Sequence, residues 1–171
     1  KLGHKVFIVL EQLSEVDVLL QVADELGVNP TAGVRIKLHS EGSGRWAKSG
    51  GEKSKFGLST AQLVKLVDRL KELNRLDVIK LIHFHLGSPI YGPDPYVEAA
   101  RKMLELIARL EGRGFSIRSL DLGGGFAADY DGTAPSWKTY ADAIADVVAP
   151  FVDRGGKIIL EPGRTISANA G

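Results

Sequence analysis

Short apolar runs alternate along the chain with longer segments in which apolar residues recur every three to four positions. The first run, Lys5 to Leu10, is unbroken and rich in β-branched residues, as expected of a strand buried on both faces. Ser14 stands at a helix start, and Val16, Leu19, Leu20, Ala23 and Leu26 form one stripe that Gly27 closes. Gly33 to Leu38 reads as a second strand, with Arg35 and Lys37 on the face opposite Val34, Ile36 and Leu38. Ser59 and Gln62 make a capping-box pair before a helix that turns Leu63, Leu66, Val67, Leu70 and Leu73 inward. A third strand is expected through Ile82-His83-Phe84-His85, where alternation puts His83 and His85 on one face with Leu81. Asp94 is placed to cap a helix beginning at Pro95, with Val97, Ala100, Leu104, Ile107 and Leu110 as its stripe and Gly112 or Gly114 at its end. Ile117 to Leu122 is the fourth strand. Ser136 opens a last helix with Tyr140, Ile144, Val147, Val148 and Phe151 inward, and Lys157 to Leu160 is the fifth strand.

Strict alternation of five short strands with four amphipathic helices predicts an α/β protein with a parallel sheet. Two closures satisfy it: an open doubly wound sheet, or an arc of a (β/α)₈ barrel, whose full circle takes about 250 residues. In both, ligands gather at the carboxyl ends of the strands. The unusual motifs all fall there: His83-Phe84-His85-Leu86-Gly87-Ser88, Gly123-Gly124-Gly125 and Glu161-Pro162-Gly163-Arg164. The connection from His39 to Leu58 is long and rich in Gly and Ser, as in a functional loop or a solvated one.

Composition narrows the function classes. With 171 residues, 44% apolar and 25% charged, the chain is long enough for one domain with a real core. A net charge of +1 offers no basic surface for nucleic acid or for a membrane, and no apolar run approaches the ~18 to 20 residues of a membrane span. The absence of cysteine excludes disulfides and thiolate metal sites and fits a reducing, cytoplasmic setting. The chain starts without Met and stops shortly after Arg164, the pattern expected of a piece of a longer protein.

The glycine triplet allows either close approach to an anion such as phosphate or simply a tight turn. It is not the dinucleotide fingerprint, because no G-x-G-x-x-G follows. Glu161 at a strand end calls for a cationic partner, and a protonated cofactor ring nitrogen would serve. Arg164 suits a phosphate or a neighbouring carboxylate. For His83 and His85 the readings are a metal pair, core histidines bonded to backbone, or a ring stacked on a flat cofactor. Metal is the weakest of the three, because only His4, His39 and scattered acids remain to supply a third ligand.

As a set, HFHLGS, LDLGGGF and LEPGRTISANAG resemble the pyridoxal-phosphate decarboxylases of the alanine-racemase-like barrel group. Residues 1–80 are most similar to biosynthetic arginine decarboxylases and residues 81–171 to diaminopimelate decarboxylases, as in an unusual member or two joined parents. The resemblance implies that the whole chain is a late arc of a (β/α)₈ barrel binding pyridoxal phosphate. It also implies a small amino-acid substrate, arginine or meso-diaminopimelate, and a homodimer with Lys55 near the subunit interface. His85 would stack on the pyridine ring and Glu161 would pair with its nitrogen. Ser88, Gly124, Gly125, Gly163 and Arg164 would hold the phosphate, with Arg35 as a supporting polar residue. The family's Schiff-base lysine and its C-terminal β-domain have no counterpart in this sequence, so the chain alone is expected to be inactive. The alternative is a non-catalytic half-barrel scaffold that self-associates.

Overall fold

The computed structural model describes His4, residues 6–38 and residues 55–168. Lys5, the stretch 39–54 of the long connection, and residues 169–171 lie outside the described residues. Five strands, β1 (Ile8–Leu10), β2 (Ala32–Arg35), β3 (Ile79–His83), β4 (Ser119–Asp121) and β5 (Lys157–Ile159), form one sheet. Between them run helices α1 (Glu15–Leu26), α2 (Thr60–Glu72), α3 (Asp94–Glu111) and α4 (Trp137–Asp153), and a short α5 (Gly163–Ser167) follows β5.

All neighbouring strands pair in parallel, in the order β1-β2-β3-β4-β5. That order decides between the two closures. Right-handed crossovers that always step in one direction leave every helix on the same side of the sheet. A doubly wound sheet requires a reversal of direction, and there is none among these five strands. The sheet is an arc of a barrel.

Register then sorts the side chains. Val34, Ile82, Leu120 and Ile158 are aligned across β2 to β5, and the first three are fully buried in the core beneath the helices. The alternate positions form the other, inner face: Gly33, Leu81, Ser119 and Lys157 in one row, then Arg35, His83, Asp121 and Ile159 in the next. Leu81 is buried but stands outside the main core cluster, as an inner-face residue should. A Cβ on Gly33 would run into the Leu81 side chain, which would have to shift to admit it.

Helix ends follow the expected chemistry in part. The Ser59–Gln62 capping box is complete, Ser136 accepts from the Thr139 amide, and Gly27 closes α1 in the left-handed conformation (φ 63°). Ser14 does not cap α1. Its backbone is already helical, and the Glu15 carboxylate instead takes the amides of Glu11 and Gln12 at 2.7 and 3.0 Å. Asp94 is likewise the first residue of α3 rather than its cap, with Pro93 ahead of it. The short α5 was not among the expected elements, because five residues are too few to show a period.

The expected third strand stops at His83. Beyond Asp121 the partner strand turns away at Gly123 (φ 67°), so after the bond from Phe84 N–H to the Asp121 carbonyl β3 has nothing left to pair with. His83 is therefore an inner-face strand residue, and His85 is a loop residue.

Candidate functional site

Three strand-end loops meet at the carboxyl edge of β3, β4 and β5, and backbone bonds tie them together. Ile90 N–H donates to the Gly125 carbonyl at 2.8 Å, and Glu161 N–H donates to the Gly123 carbonyl at 2.9 Å. The Tyr96 hydroxyl donates to the Gly124 carbonyl at 2.9 Å, and the Thr165 hydroxyl to the Phe126 carbonyl at 2.7 Å. The aromatic cluster below, with Tyr96 stacked on Phe126 and Tyr140 edge-on to both, fixes the glycine loop from beneath. Burial pushes the Tyr96 phenol well above its ordinary value, so it stays protonated and keeps donating.

The glycines are required by proximity. A Cβ on Gly124 would collide with the Glu161 carbonyl oxygen, and one on Gly125 with the Gly87 carbonyl oxygen. Gly125 also has φ 92°, a conformation costly to any other residue. The Gly124 amide has only a long bond, 3.4 Å, to His85 Nδ1, and is a donor with capacity to spare. The exposed Arg164 guanidinium takes no part in the ion pairs among the described residues. Ser88 is exposed at the tip of the β3 loop. Of the residues expected to hold phosphate, Gly124 and Gly125 sit on the β4 loop, Gly163 and Arg164 at the start of α5 on the segment bonded to that loop, and Ser88 on the β3 loop.

On the inner face stands a second group. His83 is only 6% exposed, and both its ring nitrogens are buried with no hydrogen-bond partner. Its Nε2 lies 3.8 Å from Glu161 Oε2. Burial lowers the His83 pKa more than Glu161 raises it, with Arg35 and His85 adding to the lowering. The contact therefore joins a neutral imidazole to a carboxylate, and is not an ion pair at neutral pH. His85, half-buried, is lowered for the same main reason and again by Arg35. Asp121 is 4% exposed, and its Oδ1 accepts from Gly123 N–H at 2.9 Å. Burial raises its pKa to about 6, the Gly123 bond opposes the rise, and the Glu161 charge adds to it.

Arg35, at the end of β2, is held by Glu11 at 2.6 Å and lies over the Phe56 ring at 5.3 Å. Lys55 is exposed beside it in sequence. The family resemblance singled out Arg35, His85 and Glu161, and neither it nor the residue pattern pointed to Asp121 or Glu11. The available signal was an acid, Asp121, in a strand flanked by Leu120 and Leu122, where alternation points it away from the helices.

A loop cradle with spare donors, an acid at the adjoining strand end and a half-buried imidazole between them fit a phosphorylated, flat, protonatable ring. The sequence profile of the family described as "Pyridoxal-dependent decarboxylase, pyridoxal binding domain" matches residues 2–168. The chain belongs to this family. Its cofactor is pyridoxal phosphate. Among curated relatives, the biosynthetic arginine decarboxylase of Vibrio vulnificus is 41% identical over 99% of this chain and 28% of its own length. That of Neisseria meningitidis is 48% identical over 77% of this chain and 21% of its own length. The chain thus spans under a third of the curated relatives it matches. Among solved structures, diaminopimelate decarboxylase from Helicobacter pylori, complexed with L-lysine, shares the fold with TM-score 0.76 at 24% identity, over 94% of this chain and 40% of that one. The biosynthetic arginine decarboxylase from Campylobacter jejuni has TM-score 0.76 at 26% identity, over 96% and 28%. Likeness to the arginine decarboxylases runs through both halves of the chain. The solved neighbours place the five-stranded arc within larger barrel enzymes.

Proposed function

We propose that this domain holds pyridoxal phosphate for the decarboxylation of a basic α-amino acid, as the cofactor-binding part of a longer enzyme. The observation that carries the reading is the bonding of the Gly123–Gly125 loop to Glu161 on one side and to the β3 loop on the other. It supports the reading because the glycine-loop amides and the Glu161 carboxylate share one edge of the sheet, where they would serve as phosphate donors and ring-nitrogen acid. When bound, the cofactor supplies an electron sink for the pair released as CO₂ departs.

The chain's own residues supply the setting. Gly124, Gly125, Ser88, Gly163 and Arg164 would hold the phosphate, and Glu161 would hold a proton on the ring nitrogen by its negative charge. His85 would cover one ring face. Its neutral form suits stacking. Glu11 steadies Arg35, whose charge adds to burial in lowering the pKa of both histidines. Arginine is the favoured substrate, since arginine decarboxylases match the chain at 41% identity across 99% of it. The residue that links covalently to the cofactor is assigned to the rest of the enzyme, and this domain alone is expected to turn nothing over.

The test uses the longer enzyme and this chain side by side. Glu161→Ala in the enzyme is expected to abolish CO₂ release from arginine while weakening cofactor retention much less; an unchanged kcat overturns the role of Glu161. The isolated chain with pyridoxal phosphate is expected to show no borohydride-fixed lysine adduct, and one fixed at a single lysine would contradict the division of labour. The second reading, a self-associating half-barrel, draws on the exposed Val6, Phe7 and Ile8 of the β1 edge, which with Val22, Leu26 and Val28 line an apolar groove. A folded chain that retains no pyridoxal phosphate and sediments as a dimer would favour it.

A further inference from the structure

The inner-face trio of His83, Asp121 and Glu161 offers one ligand atom each, all within 4.8 Å of one another. We propose that these three residues form a site for a divalent transition metal, open while the cofactor is absent, and that metal and pyridoxal phosphate exclude one another there. The exclusion rests on the assignment of Glu161 to the ring nitrogen; the metal site itself does not.

Two independent features point to a ligand. The first is His83, nearly fully buried, with neither ring nitrogen hydrogen-bonded and Nε2 facing the Glu161 carboxylate. A buried polar atom without a partner costs ~1–3 kcal/mol, and such groups are rare in folded proteins. The second is the geometry. Metal–ligand bonds of about 2.0–2.1 Å put tetrahedral ligand atoms roughly 3.4 Å apart. The His83–Glu161 separation of 3.8 Å is already close to that. The other separations lie within 4.8 Å, and the Glu161 side chain, 53% exposed, has room to move. Asp121 Oδ1 accepts from the Gly123 amide, the outer-sphere support typical of metal-bound carboxylates, and its carboxyl faces that of Glu161, a like-charge contact that a dication would relieve. The nearby cation, Arg35, is paired with Glu11 at 2.6 Å, and the carboxylates of Asp121 and Glu161 face what remains of its charge. An imidazole with two carboxylates suits zinc or cobalt over magnesium, and three protein ligands leave a fourth position open.

The probe is cobalt(II), titrated into the metal-free, cofactor-free chain while its visible absorption is followed. One equivalent with a tetrahedral spectrum is expected, displaced by zinc and not by a tenfold excess of magnesium. His83→Leu should weaken uptake at least tenfold. Glu161→Gln, at a half-exposed position where folding is safe, should do the same if His83→Leu fails to fold. No uptake by the wild-type chain, or equal uptake by the folded variants, overturns the site. Pyridoxal phosphate retention is then measured with and without saturating zinc. A fall of at least tenfold is expected, and equal retention overturns the exclusion. A metal-free chain that retains no pyridoxal phosphate overturns the cofactor reading and the exclusion with it, and leaves the metal site standing on the cobalt result.

Discussion

Asp121→Asn should convert a pH-dependent stability into a flatter one. Asp121 is almost completely buried, and its carboxyl titrates at about 6 in the folded chain against an ordinary 3.8. Its causes run in order: loss of water raises the pKa, the Gly123 amide on Oδ1 lowers it, and the neighbouring Glu161 carboxylate raises it. A raised carboxyl pKa means that the folded chain holds the proton more tightly than the unfolded one. The stability that this proton contributes is complete below pH 3.8 and is lost as pH rises through about 6. The displacement corresponds to about 3 kcal/mol. Asn keeps the size and the acceptor for Gly123 N–H but never ionises. In urea denaturation at pH 4, 5, 6 and 7, variant and wild type should be near parity at pH 4. The variant should gain steadily to about 3 kcal/mol at pH 7, with the m-value unchanged. Using the difference between the two proteins cancels the titration of acids that do not touch Asp121. A difference that stays constant across this range would refute the assignment of a buried, neutral-leaning carboxyl to Asp121.

Three further outcomes follow from the same edge of the sheet. His83→Leu removes two buried unpartnered nitrogens and should stabilise the chain by ~1–3 kcal/mol. Because the His83 pKa is lowered, this advantage should widen as pH falls below 6.5, which thermal denaturation at pH 5 and pH 8 would show. Gly125→Ala places a Cβ against the Gly87 carbonyl at a positive φ and should cost at least ~2 kcal/mol, with loss of pyridoxal phosphate retention in equilibrium dialysis. Glu11→Gln frees Arg35 from a half-buried ion pair and should cost about 1 kcal/mol in urea denaturation, the size expected of a partly shielded pair.

Local pattern determined much of this protein on its own. The alternation of β-branched runs with amphipathic stripes specifies parallel α/β structure, because period and length are properties of a single segment. The Ser59–Gln62 box and Gly27 specify helix ends for the same reason. The glycine triplet and Glu161 marked strand ends as the place for chemistry, since neither belongs in a buried strand. What the pattern left open was decided by partners distant in sequence. Arc or doubly wound sheet depends on which strands are neighbours, and only the pairing order answers it. The end of β3 at His83 depends on β4 turning away at Gly123, which nothing in β3 itself records. His83, Asp121 and Glu161 are each separated by a whole strand–helix unit, and parallel register brings them to one inner edge. There burial strips His83 and Asp121 of water and sets their protonation, a property that no residue carries in its own letter.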